Sequence, residues 1–451
     1  MIVSFSVTNF RSFREKATWS LVASAADATT REDDNVVALP AFGLRLLKSA
    51  VVYGANASGK TKLIEALIFS KQFILTSSSE GQADEPIDVE PFLLNPTAAQ
   101  APSEFEYVFI EGETLYRYGF EVSKKRVEAE WLFRRAGKKP TAARLPKETE
   151  VFYRTGQEID PKNDPFNRFA GRLFKEGIVR ENALLFSVAA QFNQPEAKRL
   201  RVWFRMLAIL SGLDDSGYWF YTIGELGKPE RKPAILRLLN GANFDIEDVR
   251  EAEDPDVEDA SDMPEKQRKR VLRHSADVYT RHRAYNDHRE AVEGVDLSLG
   301  KQGSAGTKKF IGLTGPLLDV LENGRVFIVD ELDSRLHPNL LCQIVHQFNS
   351  REGNPHNAQL LFNTHDTNLL AEGHFRRDQI WFTEKNRYGE STLYSLADFK
   401  TDTVRKASSP SSLERNYVRG KYGAVPYLGD FHALPGTVPE SVTAPADEDA
   451  G

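Results

Sequence analysis

Eight residues, Gly54-Ala55-Asn56-Ala57-Ser58-Gly59-Lys60-Thr61, fit the pattern Gly-x4-Gly-Lys-Ser/Thr in full. The chemistry this spacing suits is phosphate binding. Glycines admit backbone conformations closed to other residues, so the main-chain N–H groups across Asn56, Ala57, Ser58 and Gly59 turn inward at phosphate oxygens. Lys60 then reaches the β- and γ-phosphates, and the Thr61 hydroxyl completes a Mg2+ shell at a helix N-terminus, whose partial positive charge adds to the attraction. A second group, Val326-Phe327-Ile328-Val329-Asp330-Glu331, is an apolar run ending in two carboxylates. A strand this apolar is buried, so its acids emerge at the C-terminal edge where α/β sheets place ligands. Asp330 is expected to hold Mg2+ through water and Glu331 to polarise an attacking water as general base. After the apolar run Gln359 to Phe362 stands Asn363-Thr364-His365-Asp366. If the two strands are parallel neighbours, His365 lies at the same edge as Glu331. Gly303-Ser304-Ala305-Gly306-Thr307 is a small-residue turn at a helix start, a second anion-binding terminus or, by itself, an N-cap made by Ser304 or Thr307.

These residues need a scaffold, and the hydrophobic pattern supplies one. Ser49 to Tyr53 is β-rich and meets the glycine loop, after which Leu63, Ile64, Ala66, Leu67 and Ile68 follow a helical period. Thr307 to Leu321 and Leu340 to Phe348 read as helices, and Val278 to Tyr285, Val326 to Val329 and Gln359 to Phe362 as strands of an α/β core. Upstream, Ile2 to Val7 is a strand, Asn9 to Phe13 a polar turn, a second apolar stretch reaches Val22, and 26–36 is a loop. Alternation around Gly112 from Phe105 to Val122 gives a β-hairpin, with a third strand from Ala129 to Phe133 and a charged loop at Arg134-Arg135 and Lys138-Lys139. Residues 165–240 read as helical, Asp245 to Asp262 as a solvated acidic linker and Lys266 to His274 as a basic helix. The expected architecture is an α/β P-loop core split in sequence by a mixed hairpin and helical insert. Its parts are 1–134 with the phosphate loop and a β-rich lobe, a mostly helical insert at 135–275, the second half of the core at 276–436, and a disordered tail at 437–451.

With 451 residues, the chain has room for about three domains or one large domain carrying an insertion. Lys+Arg 58 against Asp+Glu 65 gives a net charge of −7, so the whole chain is no polycation. A lone Cys342 excludes an internal disulfide framework and fits a reducing cytoplasm. No apolar run approaches the roughly 18 residues that span a bilayer, and the first residues lack the basic and apolar regions of a signal peptide. A cytoplasmic protein with no membrane partner is expected. Lys198-Arg199-Leu200-Arg201 and Lys266-Gln267-Arg268-Lys269-Arg270 read as solvated helix faces, with a nucleic-acid groove as the alternative.

The order of motifs, from Asn9-Phe10-Arg11-Ser12-Phe13 through Gly54 to Thr61, Ser304 to Thr307, Val326 to Glu331, Leu332-Asp333-Ser334-Arg335-Leu336-His337-Pro338 and Thr364-His365-Asp366, closely resembles ABC-type ATPases of the SMC, RecF and OLD-like kind. It is most similar to the AAA15-type group of abortive-infection and phage-defence ATPases, which includes RloA-like proteins and the ATPase subunit of PARIS systems. Asn416-Tyr417 with Gly420-Lys421-Tyr422-Gly423-Ala424-Val425-Pro426 resembles that group too, and only about 135–275 and the tail fall outside the likeness. The resemblance implies ATP and Mg2+ as cofactors, Lys60, Glu331 and His365 as catalytic groups, and Arg11 and Ser12 approaching the nucleotide. It makes Ser304 and Gly306 signature residues for the γ-phosphate held by the other subunit of a head-to-tail dimer or higher homo-oligomer, and Asp333 to His337 a D-loop at that interface. Gly303 departs from the acidic residue usual before the signature serine. No Toprim-type acidic cluster follows Asp366, so the resemblance points to an effector in a separate protein. The alternative is a RecF-like ATPase acting directly on DNA, although the insert opens with a hairpin and shows no heptads.

Overall fold

The computed structural model describes residues 1–25, 30–139, 144–212, 216–251, 278–399 and 410–426. The chain begins with β1 (Ile2–Thr8) and β2 (Ala17–Ser20), the hairpin β3 (Val36–Leu39) and β4 (Leu44–Leu47), and β5 (Ser49–Tyr53), which runs through the glycine loop into α1 (Lys60–Thr76). Next come β6 (Ser103–Glu111), β7 (Thr114–Val122), β8 (Val127–Ala136), β9 (Thr149–Thr155) and β10 (Glu158–Ile159). Helices α2 (Pro165–Lys175), α3 (Leu185–Gln191) and α4 (Pro195–Arg205) precede β11 (Ala208–Ser211), α5 (Ser216–Leu226), α6 (Lys232–Gly241) and β12 (Asp248–Glu251). Then follow β13 (Val278–Tyr285), β14 (Ala291–Ser298), α7 (Ala305–Asn323), β15 (Val326–Asp330), α8 (Pro338–Asn349), β16 (Gln359–Asn363), β17 (Ile380–Lys385), β18 (Ser391–Ser395) and α9 (Pro410–Val418).

The unbroken apolar runs become the middle of a six-stranded sheet in the order β11-β15-β16-β5-β17-β18. All its pairings are parallel except β17 with β18. Every residue of β5, β15 and β16 is buried, because helices or a second sheet cover both faces and neither face has a polar side to show. Ala50, Val52, Ile328 and Leu361 pack on one face with Leu63 and Leu67 of α1. Val51, Tyr53, Phe327, Val329, Leu360 and Phe362 pack on the other with residues of α7 and α8. The far side of α1 meets a seven-stranded antiparallel sheet, β10-β9-β8-β7-β6-β1-β2, whose strands do alternate: Phe105, Tyr107 and Phe109 point inward while Glu104 and Glu106 do not. Buried Gln359 ties the two sheets, donating to the Ile2 and Leu47 carbonyls at 3.0 and 3.1 Å and accepting the Ile2 N–H at 2.7 Å.

Several expectations need correction. The stretch read as helical from 165 to 240 contains β11, which joins the core sheet beside β15. Part of the acidic segment read as a linker is β12; its residues 252–262, with the basic helix at 266–274 and the tail at 437–451, lie outside the described residues. β13 is no core strand: it sits between β12 and β14 in a small antiparallel sheet of its own. The loop assigned to 26–36 holds a helical turn at Glu32–Asn35 and ends where β3 begins. Arg134 and Arg135 lie on β8, so the 134/135 division falls inside a strand, and β9 and β10 of the proposed helical insert extend the antiparallel sheet.

One buried ion pair holds that sheet to the helices behind it. Glu130 on β8 accepts the Leu185 and Phe186 N–H groups at 2.7 and 2.9 Å, capping α3, which no side chain of its own caps, and accepts the Tyr118 hydroxyl at 2.9 Å. Arg154 on β9 lies 3.4 Å from Glu130, and both side chains are fully buried. Desolvation pushes the Glu130 carboxyl above its ordinary pKa and the Arg154 guanidinium below its own. Removing one partner strands the other charge, so Arg154→Met is expected to lose about 3–5 kcal/mol of stability. A urea melt with an unchanged midpoint would refute this.

Candidate active site

The glycine loop is shaped by what crowds it. Gly59 has φ +119°, a conformation hostile to side chains, and a Cβ there would lie 2.6 Å from Ser391 Oγ. At Gly54 a Cβ would lie 2.5 Å from both Ser58 Oγ and the Thr383 carbonyl oxygen. The hairpin β17–β18 therefore props the loop from behind: Ser391 Oγ donates to the Ser58 carbonyl at 2.7 Å, the Ser391 N–H to the Ser12 carbonyl at 2.7 Å, and Ser58 Oγ shares a 2.7 Å hydrogen bond with Thr383 Oγ1. Lys60 is buried, its Nζ donating to the Gly54 and Ala55 carbonyls at 2.7 and 3.1 Å. Burial lowers its pKa, while the charges of Glu331, Asp330 and Asp333 pull it back up.

The acids arrive as the parallel register dictates. β16 lies between β5 and β15, so the ends of all three strands share one edge. Asp330, buried at the end of β15, accepts a hydrogen bond from Thr61 and another, at 2.5 Å, from Asn363 Nδ2. Desolvation raises its pKa and these two hydrogen bonds oppose the rise. Glu331 follows in the left-handed region at φ +50°, half-exposed, with its N–H donating to Asn363 Oδ1 at 2.5 Å. Gly212, after β11, donates its N–H to the Asp330 carbonyl at 2.6 Å, and a Cβ on it would come within 2.0 Å of the Glu331 carbonyl oxygen.

Two observations test whether a nucleotide with Mg2+ suits these residues. Ser12 Oγ, near the Gly59 Cβ position, is buried with no hydrogen-bond partner among the described residues. Thr61 and Asp330 present the hydroxyl and carboxylate oxygens that a hard dication prefers. The residues fit.

His365 is exposed just past β16, its N–H donating to Asp333 Oδ2 at 3.1 Å. Ser304 caps α7, its Oγ accepting the Thr307 N–H at 3.1 Å. This turn packs on the segment from Asp333 to His337, where a Cβ on Gly306 would lie 2.7 Å from the Arg335 carbonyl oxygen. Buried Lys309 of α7 donates to the Glu331, Leu332 and Ser334 carbonyls at 3.3, 3.2 and 2.5 Å. Lys60, Thr61, Asp330 and Glu331 thus meet at one place, while Ser304 and Gly306 stand on an outward turn against Arg335. Arg11, expected to face the nucleotide, is engaged by Glu65 of α1 and Glu90. Asn363, Gly212, Thr383, Ser391 and Lys309 were not singled out from the sequence; each acts through a partner distant along the chain.

The basic residues expected on solvated faces or loops are partly consumed inside the protein. Arg199 donates to the Tyr116 hydroxyl, Arg201 to the Leu75 carbonyl at 3.0 Å, and Arg134 pairs with Glu196 and Asp164 at 2.6 Å each.

Taken together, loop, lysine, hydroxyl and paired acids form a nucleotide-binding site of ATPase type. No curated protein matches the chain. Among solved structures it is similar to an SMC head domain from Thermotoga maritima, at 13% identity and a TM-score of 0.39, over 87% of this chain and 98% of that one. A likeness at that level says nothing about function. Residues 49–371, more than half of the chain and including the glycine loop, Asp330 and Glu331, match AAA_21, described as "AAA domain, putative AbiEii toxin, Type IV TA system", and the chain belongs to that AAA-domain family.

Proposed function

We propose that this protein is an ATP-driven switch, an ABC-type, AAA15-like ATPase of the bacterial cytoplasm that closes as a head-to-tail homodimer or higher homo-oligomer and controls a separate effector in anti-phage defence. The observation that carries the ATPase reading is the meeting of Lys60 with Asp330 and Glu331 at one sheet edge, with Thr61 bonded to Asp330. Lys60 binds the β- and γ-phosphates, the loop amides orient them, and Glu331 takes the proton of the water that attacks the γ-phosphorus. Thr61 and Asp330 would hold Mg2+, which would supply charge neutralisation on the phosphate oxygens. His365, whose main-chain N–H is held by Asp333, is assigned to the γ-phosphate on its place just past β16 at the edge that carries the acids. The family's description as an AbiEii-type toxin domain supports a defence setting. The internal pairing of Arg134, Arg199 and Arg201 gives the DNA-maintenance alternative no support.

The dimer is supported by the outward turn at Ser304 and Gly306, which packs on its own D-loop and leaves Ser304 exposed. Ser304→Arg is expected to leave ATP binding at the phosphate loop nearly intact and to lower hydrolysis. Lys60→Ala protein keeps a sound signature turn and Ser304→Arg protein a sound phosphate loop, so mixing the two builds one complete site per dimer and partly restores turnover. With subunit exchange verified by fluorescence transfer, no recovery at any ratio would reject the composite site.

A further inference from the structure

Asn363 is fully buried at the C-terminal end of β16, between the strand that leads into the phosphate loop and the strand that carries the acids. Its side chain is spent on the acids from both ends. Nδ2 donates to Asp330 Oδ1 and Oδ1 accepts the Glu331 N–H, each at 2.5 Å, while its main-chain carbonyl accepts the Leu332 N–H at 3.3 Å. Three consecutive residues of the acidic turn are therefore fastened to one residue. On its other side Asn363 is in register with Val52 of β5, and the Thr364 N–H donates to the Val52 carbonyl at 3.3 Å.

The turn needs such a fastening. Glu331 has φ +50°, and a residue other than glycine keeps left-handed backbone only where its surroundings over-determine it. The Asn363 oxygen gives the Glu331 N–H a buried partner in that conformation, and the same amide turns the Asp330 carboxyl by its nitrogen. An aspartate at 363 would set an acceptor against an acceptor, and a serine hydroxyl would reach one of the two partners only.

We propose that Asn363 is the positioning residue that sets the metal-side carboxylate and the general base in register with the phosphate loop. The role rests on the ATPase reading above. Because the residue acts on the acids and not on the glycine loop, it controls the contribution of Mg2+ to binding and the turnover number, and leaves metal-free nucleotide binding alone.

The full chain carrying Asn363→Ala, Asn363→Ser or Asn363→Asp tests this, with a fluorescent ATP analogue titrated in EDTA and in Mg2+, and steady-state hydrolysis measured beside it. In Asn363→Ala, affinity in EDTA is expected within about twofold of wild type, while the extra affinity conferred by Mg2+ and kcat each fall about 10–100-fold. Asn363→Ser recovers part of both, and Asn363→Asp falls below alanine. Mg2+ enhancement and kcat within about twofold of wild type in Asn363→Ala would overturn the role, as would an affinity in EDTA that falls as far as that in Mg2+, the mark of a residue that merely holds the sheet together. Should the alanine protein fail to fold, the serine and aspartate proteins decide by the same comparison. A wild-type protein that binds no ATP overturns the ATPase reading and this role with it, whereas one that hydrolyses ATP alongside unaffected variants overturns this role alone.

Discussion

Glu331→Gln is expected to bind ATP with Mg2+ much as the wild type does and to hydrolyse it about 10²–10⁴-fold more slowly, the usual contribution of a positioned general base. The amide keeps the size of the carboxylate, and the main-chain bond from Glu331 N–H to Asn363 does not involve the side chain, so the turn is expected to survive. What disappears is the proton acceptor. If the dimer closes on ATP and opens on hydrolysis, the variant accumulates the closed assembly, visible as an ATP-dependent shift on size-exclusion chromatography. Unchanged turnover would move the base elsewhere, with Asp333, which already faces the His365 main chain, the next residue to substitute.

Lys60→Ala removes binding itself. The ammonium is buried and feels the charges of three carboxylates, so it is the cation that offsets part of a net acidic site. Alanine leaves Asp330 and Glu331 facing the phosphates with no opposing side-chain charge from the loop. Charge-assisted hydrogen bonds are worth about 1.5–3 kcal/mol each, and two lost phosphate contacts predict ATP affinity weaker by at least about 100-fold. Calorimetry reads this directly, and affinity within about twofold of wild type would refute the assignment of Lys60 to the phosphates.

Much of this site was legible in the sequence because its strands are buried on both faces and therefore spelled as unbroken apolar runs. Ser49 to Tyr53 and Val326 to Asp330 could be located, and the glycine spacing placed the loop between strand and helix. β11 was missed for a physical reason: four residues directly after an amphipathic helix carry no periodicity that separates strand from helix, and only pairing with β15 makes Ala208–Ser211 extended. β14 escaped because only one of its eight residues is buried and its sequence, Ala-Val-Glu-Gly-Val-Asp-Leu-Ser, carries acids and an internal glycine. The supporting residues were invisible in another way. Ser391 and Ser58 are 333 positions apart, and Asn363 and Asp330 33 apart, so a serine or asparagine at these places means nothing until the strands are laid side by side.

The strand order carries a consequence for how the protein is made. β5 leads into the phosphate loop, yet its two neighbours in the sheet are β16, where Ser49 is in register with Leu360, and β17, where Val51 is in register with Ile380. At a ribosomal rate of about 5–20 residues per second, roughly 15–65 s separate the emergence of β5 from that of β17. For most of that interval, until β16 emerges, a strand apolar on both faces has both hydrogen-bonding edges open, an invitation to wrong pairing unless a chaperone or the early antiparallel sheet shields it. A nascent chain that stops before β16 has its glycine loop but lacks the hairpin β17–β18, whose Thr383 and Ser391 prop that loop from behind. Nucleotide binding is therefore expected only after β16, β17 and β18 have emerged, late in synthesis and all together.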